Sequence, residues 1–245
     1  MKEAPVARGK PAEYGQEIIR RRHRMVTDRV MLHGRTVLDF GCGNGAQTAA
    51  LLDEGCSVVG IDIDERDLQT LAEYARGGQR DAVLPVRYDG ARVPVRSGSI
   101  DAVICFEVLE HVKDESASLR EIRRTLKPGG DLLVTVPNKW WIFETHGAYL
   151  PLLPWNRVPF FSWLPEPIHR RFAKARIYKR KDITALLAAH SFDVLDCRYV
   201  TAPLDVLGNS GFKRLLQRSI FRGDTVRWGI GATAIFVHAR KRRGE

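Results

Sequence analysis

The stretch that most limits what this chain can become is residues 35–45, R-T-V-L-D-F-G-C-G-N-G. Val37 and Leu38 read as the end of a buried strand, Asp39 stands at its carboxyl edge, and Gly41, Gly43 and Gly45 keep the following turn free of bulky side chains. Such a turn lets backbone approach a ligand closely, and in open parallel sheets ligands sit beyond the carboxyl ends of the strands. Gly41, Gly43 and Ala46 also satisfy Gly-x-Gly-x-x-small, so the glycines alone leave a dinucleotide and other adenosyl ligands both open.

Asp39 separates them. A pyrophosphate seeks backbone N–H groups and would be repelled by a carboxylate at the mouth of the turn, whereas a cationic ligand would be attracted. The string D-x-G-x-G-x-G resembles the first motif of the class I S-adenosylmethionine-dependent methyltransferases, whose cofactor carries a sulfonium and an ammonium beside its adenosine. The resemblance covers residues 35–138 strongly and the last two strands weakly. It implies an α/β, Rossmann-like doubly wound sheet of seven strands in the order 3-2-1-4-5-7-6, strand 7 antiparallel. An aromatic-rich cap would be inserted into it.

At 245 residues the chain suits one domain with a lid rather than two domains. Residues 13–138 would form an N-terminal helix and the cofactor-binding core, 139–176 the cap, and 177–245 the rest of the sheet. The 13–32 segment places Ile18, Ile19, Met25, Val26 and Val30 at helical spacing, and in the resembled family such a helix often covers the cofactor cleft. A helix from Ala46 ends at Gly55, and C-S-V-V-G-I-D-I-D follows as a buried strand. Asp62 ends that strand at the spacing of an acid that receives two ribose hydroxyls, with Ile63 beside it, while Asp64 reads as the N-cap of the next helix.

Asp89 ends a third strand, which Pro85 interrupts. The resemblance implies that Asp89 faces the adenine amino group and that Gly90 lends backbone to the ring; a plain Asp-Gly turn remains the other reading. The string S-I-D-A-V-I-C-F-E-V-L-E-H-V looks like the fourth family motif, which puts Phe106 and Glu107 near the methyl-donating end of the cofactor. The next helix carries Leu119, Ile122 and Leu126 on one face and is expected to stop at Pro128, Gly129 and Gly130.

Residues 139–176 change character, with four tryptophans, several phenylalanines and prolines, and no clear period. An ordinary long surface loop would be polar, so these aromatics suggest an acceptor-facing cap with Trp140, Trp141, Tyr149 and His169 as candidates; a dimer contact or self-packed lid competes. Loose similarity of the T-H-G-A-Y-L-P-L-L-P-W run points to methyltransferases of sugar, polysaccharide or lipid-linked biosynthesis.

Methyl transfer from a sulfonium is an in-line displacement that needs alignment, exclusion of water and at most a modest base. His111 and His146 follow adjacent strands and, with Glu144, are the catalytic candidates, because imidazole suits proton removal from a hydroxyl or amine. No metal is expected, although Glu107, Glu110 and His111 spell E-x-x-E-H, which resembles a metal-binding segment of some relatives.

The dispersed Cys42, Cys56, Cys105 and Cys197 argue against a zinc site or disulfide framework. With no apolar run near 18 residues and no signal-like N-terminus, a cytoplasmic protein is expected. The net charge of +10 leaves room for an anionic partner. Within Leu204 to Arg222, the string G-F-K-R-L-L-Q-R-S-I-F-R reads as a basic amphipathic helix able to lie on an anionic membrane or to cover the sheet. The expected function is O-methylation of a small, lipid-like or glycan-type acceptor. RNA methylation using the basic surface is an alternative, although P-N-K-W lacks the pattern of base amino-methylating relatives. An NAD-dependent oxidoreductase is a further one, opposed by Asp39 and Asp89.

Overall fold

The computed structural model describes residues 17–77, 82–143, 159–202 and 223–243. The elements run α1 (Glu17–Thr27), β1 (Thr36–Phe40), α2 (Ala46–Leu52), β2 (Ser57–Asp62), α3 (Glu65–Arg76), β3 (Val83–Arg87), β4 (Ile100–Phe106), α4 (Glu115–Thr125), β5 (Leu126–Pro137), α5 (Glu166–Phe172), α6 (Arg180–Ala189), β6 (Phe192–Thr201), β7 (Thr225–Val226) and β8 (Ala232–Lys241). The sheet order is β3-β2-β1-β4-β5-β8-β6-β7. β8 pairs antiparallel with β5 and β6, and the β3-to-β5 half is parallel. The seven expected strands are present in the expected order, and the two-residue β7 adds an eighth at the edge.

The period of two in the strands builds two cores. Leu38, Phe40, Val103, Cys105, Leu132 and Val134 face Leu119 and Ile122 of α4 and Ile183 and Leu187 of α6. On the opposite face Val37, Ala102, Ile104, Phe106 and Phe236 meet Met25 and Val26 of α1, Leu51 of α2 and Leu71 of α3. Each such side chain, taken from water to full burial, contributes about 1.5–3 kcal/mol before entropy is counted. All four cysteines are buried and unbridged.

α1 ties the two halves of the sheet together. The buried Arg21 donates to the Thr201 carbonyl at 2.8 Å, Arg24 holds Asp224 with two bonds of 2.6 and 2.7 Å, and Arg29 reaches Asp196 at 2.6 Å.

Two boundaries depart from the sequence expectation: α1 ends at Thr27, before Val30, and α4 ends before Pro128. α4 ends at Thr125, and Leu126 already pairs with Ile100 as the first residue of β5, ahead of a register shift to Ala102 and Asp131. Leu126 is buried at either end of that choice, so its spacing on the helix face carried no information about which element owns it. Residues 203–222, which hold the string expected to form the basic amphipathic helix, lie outside the described residues. Among the described residues no helix is long and apolar enough to cross a membrane.

Candidate active site

The parallel strands deliver their carboxyl ends to one edge, and the chain's acids collect there. After β1 the backbone turns through Gly41 at φ 78° and Gly45 at φ 87°, conformations costly for any residue with a Cβ. A Cβ on Gly41 would also overlap Val108 in the segment leaving β4, and one on Gly45 would lie 2.6 Å from Leu71 Cδ1. The turn is therefore closed against neighbours on two sides. Amides of Gly41 and Cys42 both donate to the Ile61 carbonyl, at 2.8 and 3.0 Å, which folds the turn onto the end of β2.

Asp62 completes that join. Its Oδ2 accepts from the Gly43 amide at 2.8 Å and its Oδ1 from the Asp64 amide at 2.9 Å. Asp64 caps α3 by accepting from the Arg66 amide, as its position suggested, which leaves Asp62 as the acid turned toward the glycine turn. Ile63 is exposed beside it.

Asp39 lies deeper. It is 3% exposed, and its Oδ2 accepts from the Thr48 hydroxyl of α2 at 2.6 Å. Burial pushes its carboxyl up to about 6, the Thr48 bond opposes that shift, and the charge of Asp62 adds to it. Asp89, in contrast, is exposed after β3, where one of its oxygens accepts from the amides of Ala91 and Arg92, and these bonds hold its carboxyl below the usual range. It thus makes the Asp-Gly turn that was the competing reading. Gly90, at φ 85°, has open space where a side chain would stand.

The fourth strand end is strained. Glu107 has φ 57°, unusual for a residue with a side chain, while its amide still donates to the Thr135 carbonyl. Its carboxylate lies 3.1 Å from Arg22 of α1, whose guanidinium sits over the Phe106 ring at 5.8 Å. Among the described residues, the Arg22 Nε and both amide atoms of Gln47, in the first turn of α2, are buried without a hydrogen-bond partner. Buried polar atoms normally find partners, so these fit a polar ligand in the cleft between α1, α2 and the strand ends. Sequence reasoning missed both: Gln47 follows no motif, and Arg22 was legible only as one position on a helix.

His111 packs beside the fully buried Glu110 carboxylate, 4.0 Å from it. The segment carrying them is held by Arg176, whose Nη1 donates to the carbonyls of Val112 at 2.6 Å and Leu109 at 3.3 Å and whose Nη2 donates to Lys113 at 3.1 Å. Tyr178 donates to Glu115 at 2.5 Å, and its burial and that acid push its hydroxyl far up. Glu107, Glu110 and His111 do not form a three-ligand group, and none is present among the described residues.

Glu144, His146 and Tyr149 lie outside the described residues. Of the other expected acceptor-facing side chains, Trp141 is buried against Ala202 and Phe143, and His169 is buried against the Phe161 ring at 5.2 Å. Packing buries both rings: Trp141 reaches out of the 139–176 segment to Ala202, and His169 stays within it against Phe161. Trp140 remains exposed.

A family model described as a methyltransferase domain matches residues 38–134. A ubiquinone biosynthesis O-methyltransferase of Pseudomonas paraeruginosa is 36% identical over 138 residues, 53% of this chain and 58% of that protein, so the match spans little more than half of that relative. A protein of the same name from Thiobacillus denitrificans is 32% identical over 172 residues, 67% of this chain and 73% of that one. Among solved structures, the crystal structure of the [4+2]-cyclase SpnF superposes with a TM-score of 0.64 at 20% identity, covering 98% of this chain and 87% of the other. That likeness, at 20% identity, speaks to fold alone, and a fold by itself does not fix a reaction. The glycine turn, the acids at the strand ends and the relatives' identity together place the chain in the class I S-adenosylmethionine-dependent methyltransferase family.

Proposed function

We propose that this protein methylates an oxygen of a small, lipid-like acceptor, using S-adenosylmethionine. The observation that carries the proposal is the set of carboxylates at the ends of β1, β2 and β3, Asp39, Asp62 and Asp89, around a turn closed against side chains. A donor with a sulfonium and an ammonium matches that charge, and the pyrophosphate of a dinucleotide opposes it. Oxygen as the acceptor atom is supported by relatives named for O-methylation.

When bound, the cofactor supplies an electrophilic methyl group. In this reading the backbone at Gly41 and Gly43 cradles it, the Asp62 carboxylate takes the ribose hydroxyls and Asp89 the adenine edge beside Gly90. Ile63 covers the ring. Phe106 and Glu107 border the methyl end, Arg22 and Gln47 offer their unsatisfied polar atoms to the amino-acid end, and His111 removes the acceptor's proton. Trp140 lies on the acceptor side; Glu144, His146 and Tyr149 stay proposals from sequence.

Calorimetry tests this directly. The chain should bind S-adenosylmethionine and its demethylated product, and Asp62→Asn should weaken both at least about tenfold, since one charged acceptor is lost. Wild-type protein that bound neither would end the proposal.

A further inference from the structure

From Trp140 outward, beside the strand-end edge, the protein exposes an aromatic surface that extends beyond the cleft. Trp228 is 78% exposed in the turn before β8, and Ile230 is exposed two residues on. Gly229 between them packs against Trp140, where an added Cβ would lie 3.0 Å from the indole. Trp140 meets Trp163 edge-on at 6.4 Å, and Trp163 meets Phe160 at 4.9 Å. Phe160 is half exposed and held at φ 63°, a conformation a bulky residue adopts only under constraint. Ile168 of α5 is exposed as well. Water-facing apolar groups this numerous usually mark a contact site.

Cations border it. Lys179 lies over the Trp140 ring at 5.9 Å, Lys139 donates to the Leu164 carbonyl, and Arg171 and Arg227 are exposed on the flanking elements. Of the neighbouring acids, Glu166 is taken by Arg170 at 2.6 Å, and Asp182 accepts from the Lys179 amide at the start of α6. Two copies meeting through this face would bring like charges together. An anionic surface would be matched in charge, and aromatic side chains with a cationic rim suit the boundary between lipid headgroups and acyl chains.

We infer that this surface docks the protein on an anionic lipid bilayer. Trp140 follows β5 closely and the Trp228 turn leads into β8, whose Ala234 pairs with Pro137 at the end of β5, so the docking face and the cleft share one edge of the sheet. An acceptor dissolved in lipid would reach the cleft without crossing water. This last step rests on the methyltransferase proposal; the docking itself does not.

The test is flotation of the full chain with vesicles of phosphatidylcholine alone and of phosphatidylcholine mixed with phosphatidylglycerol, with tryptophan emission recorded. Expected are binding to the mixed vesicles, a blue shift on binding, and a fall in partitioning of about tenfold in Trp228→Ser and in Phe160→Ser, neither of which changes charge. Absence of binding overturns the inference, and so does binding that both variants keep in full, which would be attraction by net charge alone. A concentration-dependent dimer lost in Trp228→Ser would assign the face to a second copy and also overturn it. Because Trp228 and Phe160 are exposed, the variants should melt as wild type does. Product binding by calorimetry without vesicles reports on the methyltransferase proposal separately.

Discussion

Asp39 works against the stability of the chain that carries it. An acid whose folded value is raised to about 6 keeps a proton, between about pH 4 and 6, that the unfolded chain releases, so folding stability falls as pH rises through that window. Above it the loss is constant, on the order of 2–3 kcal/mol. Asp39→Asn removes the titration. Relative to wild type, it should gain stability by that order between pH 4 and pH 7.5 in denaturant titrations. The same variant should lose more affinity for the cationic S-adenosylmethionine than for its neutral-sulfur product. Equal losses for the two, or a pH-independent difference in stability, would remove Asp39 from the role argued for it.

Among the elements, the segment between β4 and α4 is held by one side chain far along the sequence. Arg176 supplies the donors for its carbonyls from 63 to 67 residues downstream. Replacing it with Met leaves those groups without a charged donor, at about 1–2 kcal/mol of stability. The expected signature is a turnover rate reduced by about tenfold with cofactor affinity within about twofold, because the segment holds His111 rather than the ribose end. A variant whose turnover and affinity fell together would show Arg176 to be merely structural.

This contrast also explains what the sequence revealed. The acids at the strand ends and the Asp64 cap were legible because each follows a local rule, an acid after an apolar run or before a helix. Arg176 was not, since a cation 60 residues from its partners follows no periodicity. The burial of Trp141 and His169 was not legible for the converse reason: composition marks an aromatic-rich stretch, but which ring is covered is decided by packing. The end of α4 was overrun because Leu126 satisfies the helix face and the strand equally well.

At the scale of the molecule, one buried acid holds the middle of the sheet. Asp131 of β5 accepts from His238 at 3.0 Å and from Arg240 of β8 at 3.0 and 3.1 Å, with Arg35 of the approach to β1 at 3.3 Å. Burial alone would raise its carboxyl, but the bonds from His238 and Arg240 outweigh that and hold it below the ordinary range. Its contribution is present above about pH 4 and is lost as pH falls through the lowered value, so acid unfolding should begin there. Asp131→Asn should cost about 2 kcal/mol at pH 7, less than for a fully dry pair because both arginines reach solvent. Its acid limb should also flatten; an unchanged limb in denaturant-assisted pH titration would mean that other carboxylates set it.

β8 gives the synthesis of this protein its timing. The strand stands between β5 and β6, yet residues 232–241 leave the ribosome after both. Until then two finished strands each wait with an open row of amides and carbonyls, and a nascent chain in that state is a substrate for chaperones and proteases. A stop codon anywhere before residue 232 should therefore yield an aggregating fragment rather than a smaller working enzyme, even though the glycine turn and all three strand-end acids would be intact within it.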